Sequence, residues 1–244
     1  MSGTVRIGKL FGVDVRVHFS WVFIFAFMAF SLSNSYLPTV SPGWAIGQYW
    51  AIGFAGSALL FLCVLVHEFS HSIEAIRRGR KVRSITLFLL GGISEIEGES
   101  RSAGEEFWVS FVGPATSLLL ALFFWLLFFN TRSGNPQINA LTQYLALVNL
   151  LIGLFNLVPA FPLDGGRVFR AVVWRATGSE MRAMAIASRI GSAFGAGFIG
   201  FGIFVMLVTD DVITGVWLGI VGWFIRSSAS SARDQYVAES GLSG

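Results

Sequence analysis

Charge is scarce in this chain. Only 13% of its 244 residues are Asp, Glu, Lys or Arg, about half the share usual in a soluble globular domain, which excludes that class. The net charge of +3 is small and dispersed, and nucleic acid is set aside as a partner. Cysteine occurs once, at Cys63, so no intrachain disulfide can form and the redox compartment cannot be read from cysteine usage. Histidine occurs three times, at His18, His67 and His71. The first long apolar run, from about Phe19, lacks a small-residue cleavage site and reads as a retained span rather than a signal peptide.

What is abundant is apolar surface. Hydrophobic residues make up 54% of the chain, with 24 Phe and 8 Trp, and the mean hydropathy is +0.69. About 20 consecutive apolar residues cross a bilayer as a helix. Six stretches qualify: Phe19 to Leu37, Tyr49 to Ala75, Phe107 to Asn130, Ile138 to Val158, Ser188 to Val208, and the shorter Val212 to Ile225. Basic residues orient them. Arg6, Lys9 and Arg16 precede the first span, Arg77, Arg78, Arg80, Lys81 and Arg83 follow the second, Arg167, Arg170, Arg175 and Arg182 follow the fourth, and Arg226 and Arg233 follow the sixth. The opposite loops hold only Arg132 and the acidic pair Asp210 and Asp211. The positive-inside rule then places both termini in the cytoplasm.

Ser84 to Glu99 breaks the pattern, being too short to span and too apolar for an ordinary loop. Its β-branched and aromatic residues flank Gly91 and Gly92, which predicts a re-entrant or interfacial β-hairpin turning at the glycines. Such backbone survives at membrane depth only where protein or a wet cavity satisfies its amides. The expected fold is therefore an all-α polytopic membrane protein, with six transmembrane helices and this hairpin between the second and third. Its organisation is a cytoplasmic segment 1–18, a membrane core 19–226 with the β-segment 84–99, and a cytoplasmic tail 227–244.

His67-Glu68-Phe69-Ser70-His71 closes the second apolar run. Imidazoles four positions apart project from one helical face and can ligate one metal ion. Glu68 lies beside them, where a carboxylate can accept a proton from an attacking water. Ionisable residues at a membrane helix are costly and mark function. A catalytic zinc usually takes three protein ligands, so a third is needed. Asp164, in Asn156-Leu-Val-Pro-Ala-Phe-Pro-Leu-Asp-Gly-Gly-Arg167 after the fourth span, is the candidate; the competing reading has it capping whatever follows. Pro159, Pro162, Gly165 and Gly166 are expected to prevent a regular helix there. Cys63 reads as a small buried hydrophobe, His18 as an interfacial side chain, and Glu95, Glu97, Glu99, Glu105 and Glu106 as a solvated rim.

The sequence HEFSH on one membrane helix and NLVPAFPLDGG ending another resemble the site-2 proteases, the zinc intramembrane metalloproteases of peptidase family M50. The likeness includes Phe11 to His18 before the first span, Gly91-Gly92 and Gly113-Pro114-Ala115. It is to a minimal core, without the PDZ insertion or CBS pair common in relatives. The resemblance implies one Zn2+ per chain held by His67, His71 and Asp164, with Glu68 as general base. It also implies Asn156, Gly91 and Gly92 at the substrate, which would be a membrane protein's transmembrane segment in the lipid bilayer. The implied activity is hydrolysis of peptide bonds in or near such segments, as in regulated intramembrane proteolysis, from a multi-pass protein of a prokaryotic cell membrane with its site toward the cytoplasm. The alternative is a metal or ion transporter using the same His and Asp residues. The oligomeric state is left open.

Overall fold

A computed structural model of the chain describes residues 3–89, 91–132, 134–209 and 211–242. Asp210 and the side chain of Arg233, both used above, lie outside the described residues. The element order is β1 (Thr4–Leu10), β2 (Val13–His18), α1 (Ser20–Ser31), a π-helical turn (Leu32–Tyr36), α2 (Leu37–Val40), α3 (Ile46–Arg77), β3 (Val82–Phe88), β4 (Gly91–Ile96), α4 (Ala103–Thr131), α5 (Pro136–Asn156), α6 (Asp164–Thr177), α7 (Glu180–Thr209) and α8 (Val212–Leu242). The chain is mostly helical with one small sheet. Six helical segments among the described residues are long and apolar enough to cross a membrane: Ser20–Val40, Ile46–Arg77, Ala103–Thr131, Pro136–Asn156, Glu180–Thr209 and Val212–Ala232. The sixth, short when counted to Ile225, reaches full span length because the helix runs on through the serine-rich stretch.

Contacts divide the chain into two compact units, residues 1–99 with 112–154, and residues 100–111 with 155–244. The first unit holds the sheet, in the order β1-β2-β3-β4. β3 and β4 pair antiparallel, with Phe88 opposite Gly91 and Ser84 opposite Glu95. This hairpin does not stand alone. β2 joins β3 in parallel, Val15 opposite Ile85, and β1 closes the other side, so the segment before the first span is a sheet component. The alternation of Val13, Val15 and Val17 with Asp14, Arg16 and His18 is the strand period that allows it. Val13, Val15 and Ile85 bury against Phe69 of α3, with Leu65 and Val82 beside them. That contact anchors the sheet to the turn of α3 carrying His67 and His71. α3, at 32 residues, is about 48 Å long, well beyond the ~30 Å hydrocarbon core. In the same unit, Leu32, Leu37, Leu60, Ala140, Tyr144 and Leu145 pack together from the π-helical turn, α2, α3 and α5.

The second unit corrects two expectations. Gly165 and Gly166 do not break a helix; they lie in the first turn of α6. A Cβ on Gly165 would sit 2.3 Å from the Leu157 carbonyl carbon, and one on Gly166 2.7 Å from that of Ala160, so the helix needs bare residues to pass the preceding turn. Glu105 and Glu106 are not part of an exposed rim either. They are 6% and 0% exposed, and Arg170 of α6 donates from Nε and Nη2 to Glu106 Oε1, both at 2.6 Å. A buried carboxylate needs such a partner. Glu95 and Glu99 are exposed and Glu97 half-buried, as a rim requires.

Candidate metal centre

The two imidazoles come from one turn of α3, and both are almost fully buried, His67 at 4% and His71 at 5% exposure. Their Nε2 atoms lie 3.2 Å apart. Two neutral ring nitrogens aimed at each other through their lone pairs repel unless a proton or a cation lies between them. The other nitrogen of His67 is engaged: Nδ1 is 2.8 Å from Ser117 Oγ of α4, itself 1% exposed. A hydrogen bond at Nδ1 fixes which ring nitrogen is left for a metal.

Gly113, one helical turn before Ser117, forms the wall facing the two rings. A Cβ there would lie 2.1 Å from His71 Nε2 and 2.8 Å from His67 Nε2. The space beside both donor atoms exists only because residue 113 has no side chain. These observations fit a divalent cation: converging ring nitrogens, one ring held by its far side, and a cradle that a methyl group would fill.

Glu68 is half-buried and points to the sheet rather than to α4. Ser94 Oγ of β4 donates to its Oε2 at 2.8 Å and lies 3.2 Å from the Glu68 carbonyl oxygen. Ser72, fully buried one turn along α3, donates to Ser94 Oγ at 3.3 Å. Gly92 faces the same carboxylate, since a Cβ on it would come within 2.4 Å of Glu68 Cγ. Gly91 has φ +128°, a conformation suited to glycine, with open space around its missing Cβ. The two glycines therefore differ: one opens β4, the other clears Glu68.

In the second unit, Asp164 is half-buried and is the first residue of α6. The N-cap is Leu163, which makes no side-chain cap, so Asp164 lies one position inside the helix. Asn156 is the last residue of α5. His18 is spent locally, with Nδ1 2.8 Å from Ser20 Oγ, and Cys63 is a buried free thiol. Ser117, Ser94 and Ser72 are absent from the reading of the sequence. Spacing held the available signal: Ser117 stands four residues after Gly113 on one helical face, and Ser94 two after Gly92 on one strand face.

Residues 55–135 and 132–198 match Peptidase family M50. The chain belongs to that family. It is 38% identical over 232 residues to Rip3 of Mycobacterium tuberculosis, provisionally named a zinc metalloprotease, a match covering 94% of this chain and 58% of that protein. It is 37% identical over 243 residues to sll0528 of Synechocystis sp., named in the same way, covering 98% of this chain and 62% of the relative. The chain thus spans less than two thirds of the length of these curated relatives. Among solved structures it resembles the site-2 protease from Methanocaldococcus jannaschii, with a TM-score of 0.59 and 25% identity over 94% of this chain and 95% of that one.

Proposed function

We propose that the chain is a zinc-dependent intramembrane endopeptidase that hydrolyses peptide bonds in or near transmembrane segments of membrane proteins. The observation that carries the reading is the pair of buried imidazoles whose Nε2 atoms converge at 3.2 Å under the bare backbone of Gly113, with Glu68 between them in sequence. Family membership and the relatives' names support zinc and proteolysis.

His67, His71 and Asp164 would hold the metal. Two imidazoles and a carboxylate are a donor set that a catalytic zinc takes. A bound zinc ion supplies Lewis acidity, polarising the scissile carbonyl and bringing the pKa of a water toward about 7. The remaining work falls to the chain. Glu68 takes the proton from the attacking water and delivers it to the leaving amine. Asn156, an amide ending a membrane helix, is assigned as a donor to the developing oxyanion.

A helical substrate hides its carbonyls in its own hydrogen bonds and must unwind to be cut. The free edge of β4 would receive the unwound segment as an added strand, with Gly91 and Gly92 leaving room for it. β3 lies between β2 and β4, so strand addition falls to β4 and not to β3. The basic residues after the even-numbered spans support cytoplasmic termini and a site toward the cytoplasm. A β-segment at that level would be a re-entrant or interfacial element. Metal or ion transport is not favoured, since the matched family is one of peptidases.

The test is Glu68→Gln on purified protein, with metal analysis and cleavage of a single-span reporter whose apolar helix of about 20 residues is interrupted by Gly and Pro. Zinc content stays at the wild-type level and cleavage stops. Full cleavage by Glu68→Gln refutes the assignment.

A further inference from the structure

A carboxylate on a half-exposed helix face samples several rotamers, and a general base is effective only near one of them. Glu68 is restrained from outside its own helix. Ser94 Oγ reaches both the Oε2 of Glu68, at 2.8 Å, and its carbonyl oxygen, at 3.2 Å, which folds the side chain back over its own turn. A hydroxyl has one proton, and the closer carboxyl acceptor takes it. Ser72 supplies the other half, donating to Ser94 Oγ at 3.3 Å from a position with no solvent exposure. The two hydroxyls thus form a directed chain, Ser72 to Ser94 to Glu68 Oε2. Gly92 sets the limit on the same side, because any Cβ there would meet Glu68 Cγ at 2.4 Å.

We propose that Ser94, oriented by Ser72, is the positioning residue for Glu68. It commits Oε2 to a hydrogen bond and leaves proton acceptance to Oε1. The inference rests on the reading of Glu68 as general base. It adds that β4, the strand offered to substrate, also holds the base in place, so strand and base move as one piece. The proposal concerns orientation alone; the metal ligands stay where α3 and Ser117 put them.

The test compares Ser94→Ala, Ser94→Thr and Ser72→Ala in the full chain, measuring bound zinc, thermal unfolding, kcat and KM on the single-span reporter. Ser94→Ala keeps its zinc and its KM within about twofold, while kcat falls about 10-fold to 100-fold, the scale of a misplaced catalytic group. Ser94→Thr retains the hydroxyl and recovers most of kcat, and Ser72→Ala shows a smaller loss confined to kcat. A Ser94→Ala protein with wild-type kcat, with lost zinc, or with a loss carried by KM and not recovered by Thr overturns the proposal. If Ser94→Ala unfolds, Ser72→Ala decides: wild-type kcat there also overturns it. Inactive Glu68→Gln beside fully active Ser94→Ala refutes only the positioning role, whereas active Glu68→Gln refutes the base itself.

Discussion

Gly113→Ala sets two physical effects against each other. Residue 113 lies inside α4, where alanine is favoured over glycine by about 1 kcal/mol, so propensity predicts a more stable protein. The added methyl carbon, however, would start 2.1 Å from His71 Nε2, 2.4 Å from its Cε1 and 2.8 Å from His67 Nε2. Ordinary contact between such atoms is about 3.5 Å, so the His71 ring must retreat by roughly 1 Å or more. Neither ring can do so freely. Both sit at or below 5% exposure in a close-packed interior, and His67 is tied to Ser117. Metal-donor distances tolerate only about 0.2 Å, and a displacement near 1 Å costs about 100-fold in a reaction that depends on alignment. The expected outcome is a folded protein that loses about 100-fold or more in zinc affinity and in cleavage rate. The assay is competition against a zinc chelator in detergent, with thermal unfolding recorded on the same samples. Gly104→Ala in the same helix is the control, because nothing lies within 4 Å of its added Cβ; it keeps both properties. Wild-type zinc affinity in Gly113→Ala would refute the claim that the bare backbone shapes the metal cradle.

Ser117→Ala removes the partner of His67 Nδ1 without touching the donor nitrogen, and zinc affinity falls about 10-fold to 100-fold, read by the same competition. Unchanged affinity would mean that packing alone orients the ring. Arg170→Met strands the fully buried Glu106 carboxylate and costs about 3–5 kcal/mol, seen as a lowered unfolding midpoint in detergent, while Arg170→Met with Glu106→Leu recovers much of it. Equal losses in the single and double variants would show that the pair is not the source of the effect.

These outcomes also separate what the sequence exposes from what it conceals. Helical spans are legible because lipid demands an unbroken apolar run, and a histidine pair is legible because i and i+4 share a face whatever surrounds them. Both are local patterns. Glu106 carries no local mark of burial; its partner Arg170 is 64 residues away, and beside Glu105 it reads as one more exposed charge. Gly165 and Gly166 mislead for the opposite reason. Their propensity points to a break, yet the close pass of Leu157 and Ala160 requires residues without side chains, and that requirement is tertiary.

The serines are the deepest case. Serine is common and tolerated almost anywhere, so neither Ser94 nor Ser117 stands out by type. Each gains meaning only from register. Ser94 reaches Glu68 because β4 pairs with β3, β3 with β2, and the buried faces of β2 and β3 press on Phe69, the next residue along α3. A one-residue slip in any of those pairings would turn Ser94 to the other face of the sheet and leave Glu68 without its hydroxyl. The sheet that propensity reads as a re-entrant or interfacial hairpin is thus the element by which the fold controls the orientation of its proposed base.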